Sequence, residues 1–237
     1  MCGRVTLTST IEEISNTYEA KFDMEQARMF RTGFNVAPTH RLCVINNEDG
    51  QRVGKVMRWG LIPPYVKNLD DFKLSTFNAR AEGLLKSRIY KDPFKEKRCI
   101  IIISGYYEWR DEGGKSKQPY YFKPSEGETL ALAGLWERTT LVNDDGSPNE
   151  IESCTIITTE PNEVTSEYHN RMPVILMPKD FDTWMSPDTS EKELLSLLKA
   201  CPPDYLEIIK VDKRVGRVGN DGPENIRPAD DNIELAF

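Results

Sequence analysis

Cys2 is the residue whose position most constrains the chemistry open to this chain. Removal of Met1, which the small side chain at position 2 permits, would make it the amino terminus. It would then carry a thiol and a primary amine on adjacent carbons. An α-amine titrates near ~8, well below a lysine, so a useful fraction is neutral at physiological pH. A neutral amine attacks an aldehyde to give a Schiff base. The thiol can then close on the imine carbon as a five-membered thiazolidine. No internal cysteine can do this. The plainer reading is a cysteine packed beside the first strand. Gly3 permits close approach of backbone to a ligand.

Four further segments look ill-suited to plain scaffolding. Phe77-Asn78-Ala79-Arg80-Ala81-Glu82 sets an amide and a guanidinium two residues apart. In an extended chain Asn78 and Arg80 face the same side. Gly105-Tyr106-Tyr107-Glu108-Trp109 carries a carboxylate among aromatics. Burial there would raise its pKa and suit it to proton transfer; a salt bridge or strand-end cap is the alternative. Tyr168-His169-Asn170-Arg171-Met172-Pro173 holds one of only two histidines, and a lone histidine is commonly structural. Trp59 to Tyr65 offers aromatic surface that could stack on bases, with core packing favoured for Trp59.

These residues need a scaffold, and the composition allows one. The chain has 237 residues, 38% of them hydrophobic and 29% charged, with 38 acidic against 31 basic side chains. That excludes collagen-like and low-complexity classes, and the length supports a substantial core. No run of ~18 apolar residues signals a membrane span, so no membrane partner is expected. The five cysteines, 2, 43, 99, 154 and 201, form no C-x-x-C pair. A zinc site or disulfide framework is therefore not expected. Reduced thiols and an amino terminus without an apolar signal core point to the cytoplasm, near the nucleoid in a bacterium. The net charge is −7, yet Arg52 to Lys123 holds 16 basic and 8 acidic residues. Such asymmetry fits a polyanion site or a solvated surface of scattered charge.

Hydrophobic patterning predicts helices over 10–20 and 24–31, the first opened by a Ser9/Glu12 capping box. Asn35-Val36-Ala37-Pro38 reads as a loop. Strands are expected at 42–46 and 52–57 around the Glu48-Asp49-Gly50 turn, and a buried one at Arg98–Ile103. More follow at 119–123, 130–136, 153–159, 173–177 and 206–211, with turns at 111–114 and 144–146. Pro161 is expected to open a short helix reaching Tyr168. Another starts near Pro178, and one over 190–200 places Leu194, Leu195 and Leu198 on one face. The fold class is α+β: a mainly antiparallel sheet, able to close into a barrel, with a few flanking helices. One domain is expected over 1–227, followed by a loose tail over 228–237.

Together the segments resemble the SOS response-associated peptidase (SRAP) family. The resemblance is carried by Met1-Cys2-Gly3-Arg4, Asn35-Val36-Ala37-Pro38, Arg58-Trp59-Gly60-Leu61-Ile62-Pro63, Asn78-Ala79-Arg80-Ala81-Glu82, Gly105-Tyr106-Tyr107-Glu108-Trp109, His169-Asn170-Arg171-Met172-Pro173 and Val215-Gly216-Arg217-Val218-Gly219-Asn220. It implies a protein that binds single-stranded DNA and captures abasic sites, its N-terminal cysteine reacting with the open-chain sugar aldehyde to leave a thiazolidine crosslink. By the same resemblance Cys2 is the nucleophile, Asn78 orients it, Glu108 handles protons, and His169 assists ring opening and crosslink reversal. Arg80, Arg171 and, more weakly, Arg4 would contact phosphates. Asn35 and Pro38 would shape the pocket floor, and Trp59 and Tyr65 would lie at the DNA surface. Family members often carry two bulky aromatics after the Trp-Gly-x-x-Pro segment; here those positions are Tyr65 and Val66, and valine cannot stack. No cofactor or metal is implied, and a monomer is expected. Two alternatives remain: a cysteine peptidase using Cys2 and His169, and a non-catalytic binder of single-stranded DNA.

Overall fold

The computed structural model describes residues 2–229. The chain opens with β1 (Val5–Leu7), α1 (Ile11–Tyr18), β2 (Lys21–Phe22) and α2 (Met24–Met29). Then come β3 (Gly33–Val36), β4 (Arg41–Glu48), β5 (Gln51–Trp59), β6 (Asn78–Arg80) and α3 (Lys91–Glu96). The centre holds β7 (Arg98–Ile103), β8 (Gly105–Arg110), β9 (Gln118–Pro124), β10 (Leu130–Val142) and β11 (Pro148–Thr159). The last elements are β12 (Met172–Pro173), α4 (Phe181–Met185), α5 (Glu191–Leu197) and β13 (Leu206–Lys210).

The fold is α+β, as the patterning implies, and the sheet does close. β11, β10, β7, β4 and β5 form a ring in which all neighbours are antiparallel except the β5–β11 seam. A ring with an odd number of strands cannot alternate direction all the way round, so one parallel pair is unavoidable. That seam pairs Arg58 with Ser153 and Trp59 with Cys154. β6 continues along the same edge of β11, Asn78 beside Ile156 and Arg80 beside Thr158. A second sheet, in the order β13-β9-β8-β1-β3, carries the amino-terminal strand at its interior.

Alternation along the ring strands serves two cores. Leu42, Val44, Met57, Trp59, Ile101 and Ile103 join one buried cluster with Cys2, Val5, Tyr106 and Phe122. Cys43, Ile45, Ile100, Ile102, Ala131 and Ala133 join the other, under Ile14, Tyr18, Phe94, Trp184 and Leu194 of the helices. Strands buried on both faces read as continuous apolar runs, which is why Arg98–Ile103 stands out in the sequence. Its one charge, Arg98, donates to the carbonyls of Trp184, Phe94, Lys95 and Ser186, and so ties α3 and α4 to β7.

Several local expectations are corrected. The capping box belongs to Thr10 and Glu13, one residue later than predicted; Ser9 is buried, so the exposed Thr10 hydroxyl takes the cap. Asn35 and Val36 are in β3 rather than a loop, paired with β1. The helix expected after Pro161 shrinks to a 3-10 turn at Thr165–Glu167. The strand expected over 173–177 is only Met172–Pro173 plus an isolated bridge from Ile175 to Leu132. Leu194 is buried and Leu197 and Leu198 pack against the core, whereas Leu195 is exposed, so the buried face of α5 does not include it. Pro228 bridges Val211 and Ala229 donates to Lys210, so the expected tail is anchored at its first two residues; its remainder lies outside the described residues. Among those residues, no helix is long and apolar enough to cross a membrane.

Candidate active site

The site is built where β1, β6, β8 and the loop before β12 meet. β1 pairs with β8, Val5 opposite Tyr106, and the ladder continues as the Tyr107 N–H donates to the Arg4 carbonyl at 2.9 Å. This brings the amino-terminal residues alongside Glu108. Gly105 is required at the bend into β8: a Cβ there would lie 2.5 Å from the Phe122 carbonyl oxygen and the Tyr121 ring. From the other side, β6 presents Asn78, whose Nδ2 donates to the Cys2 carbonyl at 2.7 Å. The Asn78 Oδ1 is buried with no hydrogen-bond partner among the described residues.

Cys2 is fully buried. Burial first, and the negative charge of Glu108 second, push its thiol well above the usual thiol range. Glu108 is itself buried, and desolvation raises its carboxyl to about 7; the amino-terminal charge and Lys117 pull in the opposite direction. A buried carboxyl that titrates near neutrality can both give and accept a proton there. Burial pushes the Tyr106 hydroxyl well up, and Cys2, Glu108 and Cys201 are its titratable neighbours.

His169 enters from the loop before β12. Its Nδ1 accepts the Arg171 backbone N–H at 3.0 Å. The neutral ring therefore carries its proton on Nε2 and offers a donor there. Burial, then the amino-terminal charge, lowers its pKa. Glu108 and His169 thus share Lys117 as an electrostatic neighbour. Tyr168 packs edge-on against Tyr120 and Phe122, with Arg110 over its outer face at 5.3 Å. A cleft of about 700 Å³ elsewhere is lined by both cations such as Arg41 and Arg138 and carboxylates such as Asp23 and Glu150, and contains none of these residues.

Other predicted residues take different places. Arg171 is 8% exposed, and its guanidinium is spent on Glu82 and the Thr158 carbonyl rather than presented to solvent. Arg4 donates to Asn35 Oδ1 and to the Val215 carbonyl, with the Trp109 ring 5.9 Å away. Asn35 donates to the carbonyls of Val215, Arg217 and Asn220. Arg4, expected at a phosphate, and Asn35, expected at a pocket floor, thus both clasp the 215–220 segment. Half-buried Pro38 leads into the turn at Thr39, whose N–H donates to the Trp59 carbonyl. Trp59 is wholly buried, its Nε1 donating to the Phe77 carbonyl at 2.8 Å; this corrects its placement at a DNA surface. Gly60 after it has φ +117°, a turn that a side chain would strain. Tyr65 is 62% exposed, whereas Val66 is buried with Ile62 and Leu141.

Part of the local basic excess is neutralised by acids from elsewhere in the chain. Arg52 pairs with Asp182, Lys55 with Glu48, Lys97 with Glu137 and Lys123 with Glu207. Arg80 is exposed and has no ion pair among the described residues, and the same holds for Lys117. Lys117 was not singled out by the sequence because its place beside the site depends on the β8–β9 hairpin.

A family model described as SOS response associated peptidase (SRAP) matches residues 1–218. The chain belongs to that family. It is 36% identical over 228 residues to the abasic site processing protein YoqW of Bacillus subtilis, covering 95% of this chain and 99% of that one. It is 37% identical over 229 residues to YoaM of the same organism, also named an abasic site processing protein, covering 94% and 96%. A crystal structure of a Bacteroides thetaiotaomicron protein superposes with a TM-score of 0.85 at 27% identity, over 96% of this chain and all of that one.

Proposed function

We propose that this protein processes abasic sites in DNA, binding the lesion in single-stranded DNA and capturing it covalently through Cys2 once Met1 is removed. The observation that carries the reading is geometric: Cys2 is buried, Asn78 Nδ2 holds its carbonyl at 2.7 Å, and the Val5–Tyr106 pairing of β1 with β8 brings Glu108 alongside it. A peptidase needs the thiolate as its first nucleophile, and reactive thiolates sit where their pKa is lowered. Here the pKa is raised. The neutral His169 ring also uses Nδ1 as acceptor and keeps its proton on Nε2, which suits a donor rather than a base for that thiol. The chemistry favoured is therefore amine first and thiol second. The names of the relatives, abasic site processing proteins, support the same substrate.

The lone pair of the Cys2 amine attacks C1′ of the open-chain sugar. Neutral Glu108 protonates the departing hydroxyl, water leaves, and the C=N bond forms. The nitrogen keeps its proton as an iminium, and the thiol adds to that carbon, its sulfur forming the C–S bond while its proton returns to the Glu108 carboxylate. Protein and DNA combine with loss of one water. Asn78 holds the Cys2 carbonyl and has a free buried oxygen available to the amine. In this reading His169 protonates the sugar ring oxygen as the ring opens, a role supported by the proton on its Nε2. Arg80 supplies a phosphate contact, and exposed Tyr65 a stacking surface.

Intact-protein mass spectrometry tests this, before and after incubation with a short single-stranded oligonucleotide bearing one abasic site. The expected species has the summed mass less one water. It is absent with an intact oligonucleotide, in Cys2→Ala, and when residues are added before Cys2. An adduct that persists in Cys2→Ala, or none from protein that has lost Met1, overturns the mechanism.

A further inference from the structure

We propose that Glu82 is a positioning residue for the reaction at Cys2, acting through Arg171 to fix the loop that presents His169. The inference rests on the lesion-capture reading. Its starting point is the short segment from Asn78 to Glu82, which touches both halves of the site. At one end Asn78 holds the Cys2 carbonyl. At the other, the two Glu82 oxygens accept Arg171 Nη1 at 2.8 Å and Nη2 at 3.0 Å. The same Nη2 donates to the Thr158 carbonyl at 2.6 Å, and Thr158 is the residue that pairs with Arg80 in β6. The Arg171 side chain is therefore locked against a three-strand edge made by β6, β11 and β12.

That lock reaches His169 directly. The Arg171 backbone N–H is the donor to His169 Nδ1, so the atom that sets the ring's tautomer and rotation belongs to the residue Glu82 clamps. Little else in this loop is laddered. The His169 N–H donates to the Thr165 carbonyl in the preceding 3-10 turn, and strand pairing resumes only at Met172. A carboxylate suits the position because two parallel oxygens match the planar fork of a guanidinium. A glutamine offers one acceptor and turns an N–H against the other Nη. Glu82 is 60% exposed and Arg171 9% at the side chain, so removing the carboxylate leaves a desolvated guanidinium to find another partner and pull the loop with it.

A purely structural ion pair would change stability and leave the ring alone. The experiment therefore compares wild type, Glu82→Gln and Glu82→Ala by two readouts. The first is the single-turnover crosslinking rate with saturating abasic oligonucleotide, beside the affinity for the intact strand. The second is the ring ¹⁵N signals of His169, simple to assign because the chain has two histidines. A displacement on the order of 1 Å from a catalytic geometry can cost about 100-fold in rate. We expect a loss approaching that in Glu82→Ala, a smaller one in Glu82→Gln, no weaker binding of intact DNA, and His169 signals that leave the pure Nε2–H pattern. Because Glu82→Gln keeps one acceptor for the buried guanidinium, it remains a folded test if Glu82→Ala is unstable. Unchanged ring signals in the folded variant overturn the proposal whatever the rate does, as does an unchanged rate. If the wild type itself forms no adduct, the lesion-capture reading fails on its own, and the ring signals still decide whether Glu82 sets His169.

Discussion

Replacing Glu108 by glutamine should stabilise the protein, and only on one side of a defined pH interval. Burial raises this carboxyl from its ordinary 4.5 to about 7. The folded state therefore holds the proton over an interval in which the unfolded chain releases it. Below pH 4.5 both states are protonated and the group contributes no penalty. As pH rises from 4.5 the unfolded chain gains by ionising, and folding stability falls until the folded carboxyl also ionises near 7. Above that the penalty is constant. At 1.36 kcal/mol for each pH unit, it comes to about 3 kcal/mol. Glutamine keeps nearly the same shape and stays neutral throughout. Urea unfolding of both proteins at pH 4, 6 and 8 should show equal stability at pH 4, a growing advantage for Glu108→Gln at pH 6, and about 3 kcal/mol at pH 8. The wild-type crosslinking rate should bend near pH 7, and the variant should be slow without that bend. A stability difference that stays flat with pH would refute the reasoning, because it would mean that the carboxyl is not held protonated by burial.

Arg80→Ala should weaken intact and abasic single strands alike and reduce the salt slope of binding by about one, since a phosphate contact carries no base information; selective loss for the abasic strand in a salt titration would instead put Arg80 in the chemistry. Arg98→Ala should destabilise the fold by roughly 3 kcal/mol or more in denaturant unfolding, because four carbonyls from α3, α4 and their flanks lose a buried charged donor. A change under about 1 kcal/mol would show that water replaces it.

The sheet strands were legible where burial on both faces writes a continuous apolar run, as in Arg98–Ile103, or where a turn separates two patterned runs, as around Asp49-Gly50. The short strands were not. β1 and β6 have three residues each, too few to show a period, and they exist because β8 and β11 offer them a ladder. Arg171 and Trp59 illustrate the other limit. An arginine and a tryptophan next to site residues can face outward or inward, and residue type does not decide which. Here a carboxylate 89 residues away in the chain claims the guanidinium, and the Phe77 carbonyl claims the indole.

The sequence by itself determined which chemistry is available: a cysteine at position 2 able to carry amine and thiol together, a carboxylate among aromatics, and a histidine beside a proline-terminated loop. Covalent connectivity and residue type are enough for that. Only the tertiary structure decided the protonation states and the partners. The raised thiol of Cys2 and the near-neutral titration of Glu108 arise from burial and from groups many residues distant in the chain, and the Nε2–H tautomer of His169 arises from a turn that folds the Arg171 N–H back onto its ring. Desolvation and hydrogen bonding act through space, and which groups share that space is settled by the closure of the sheet.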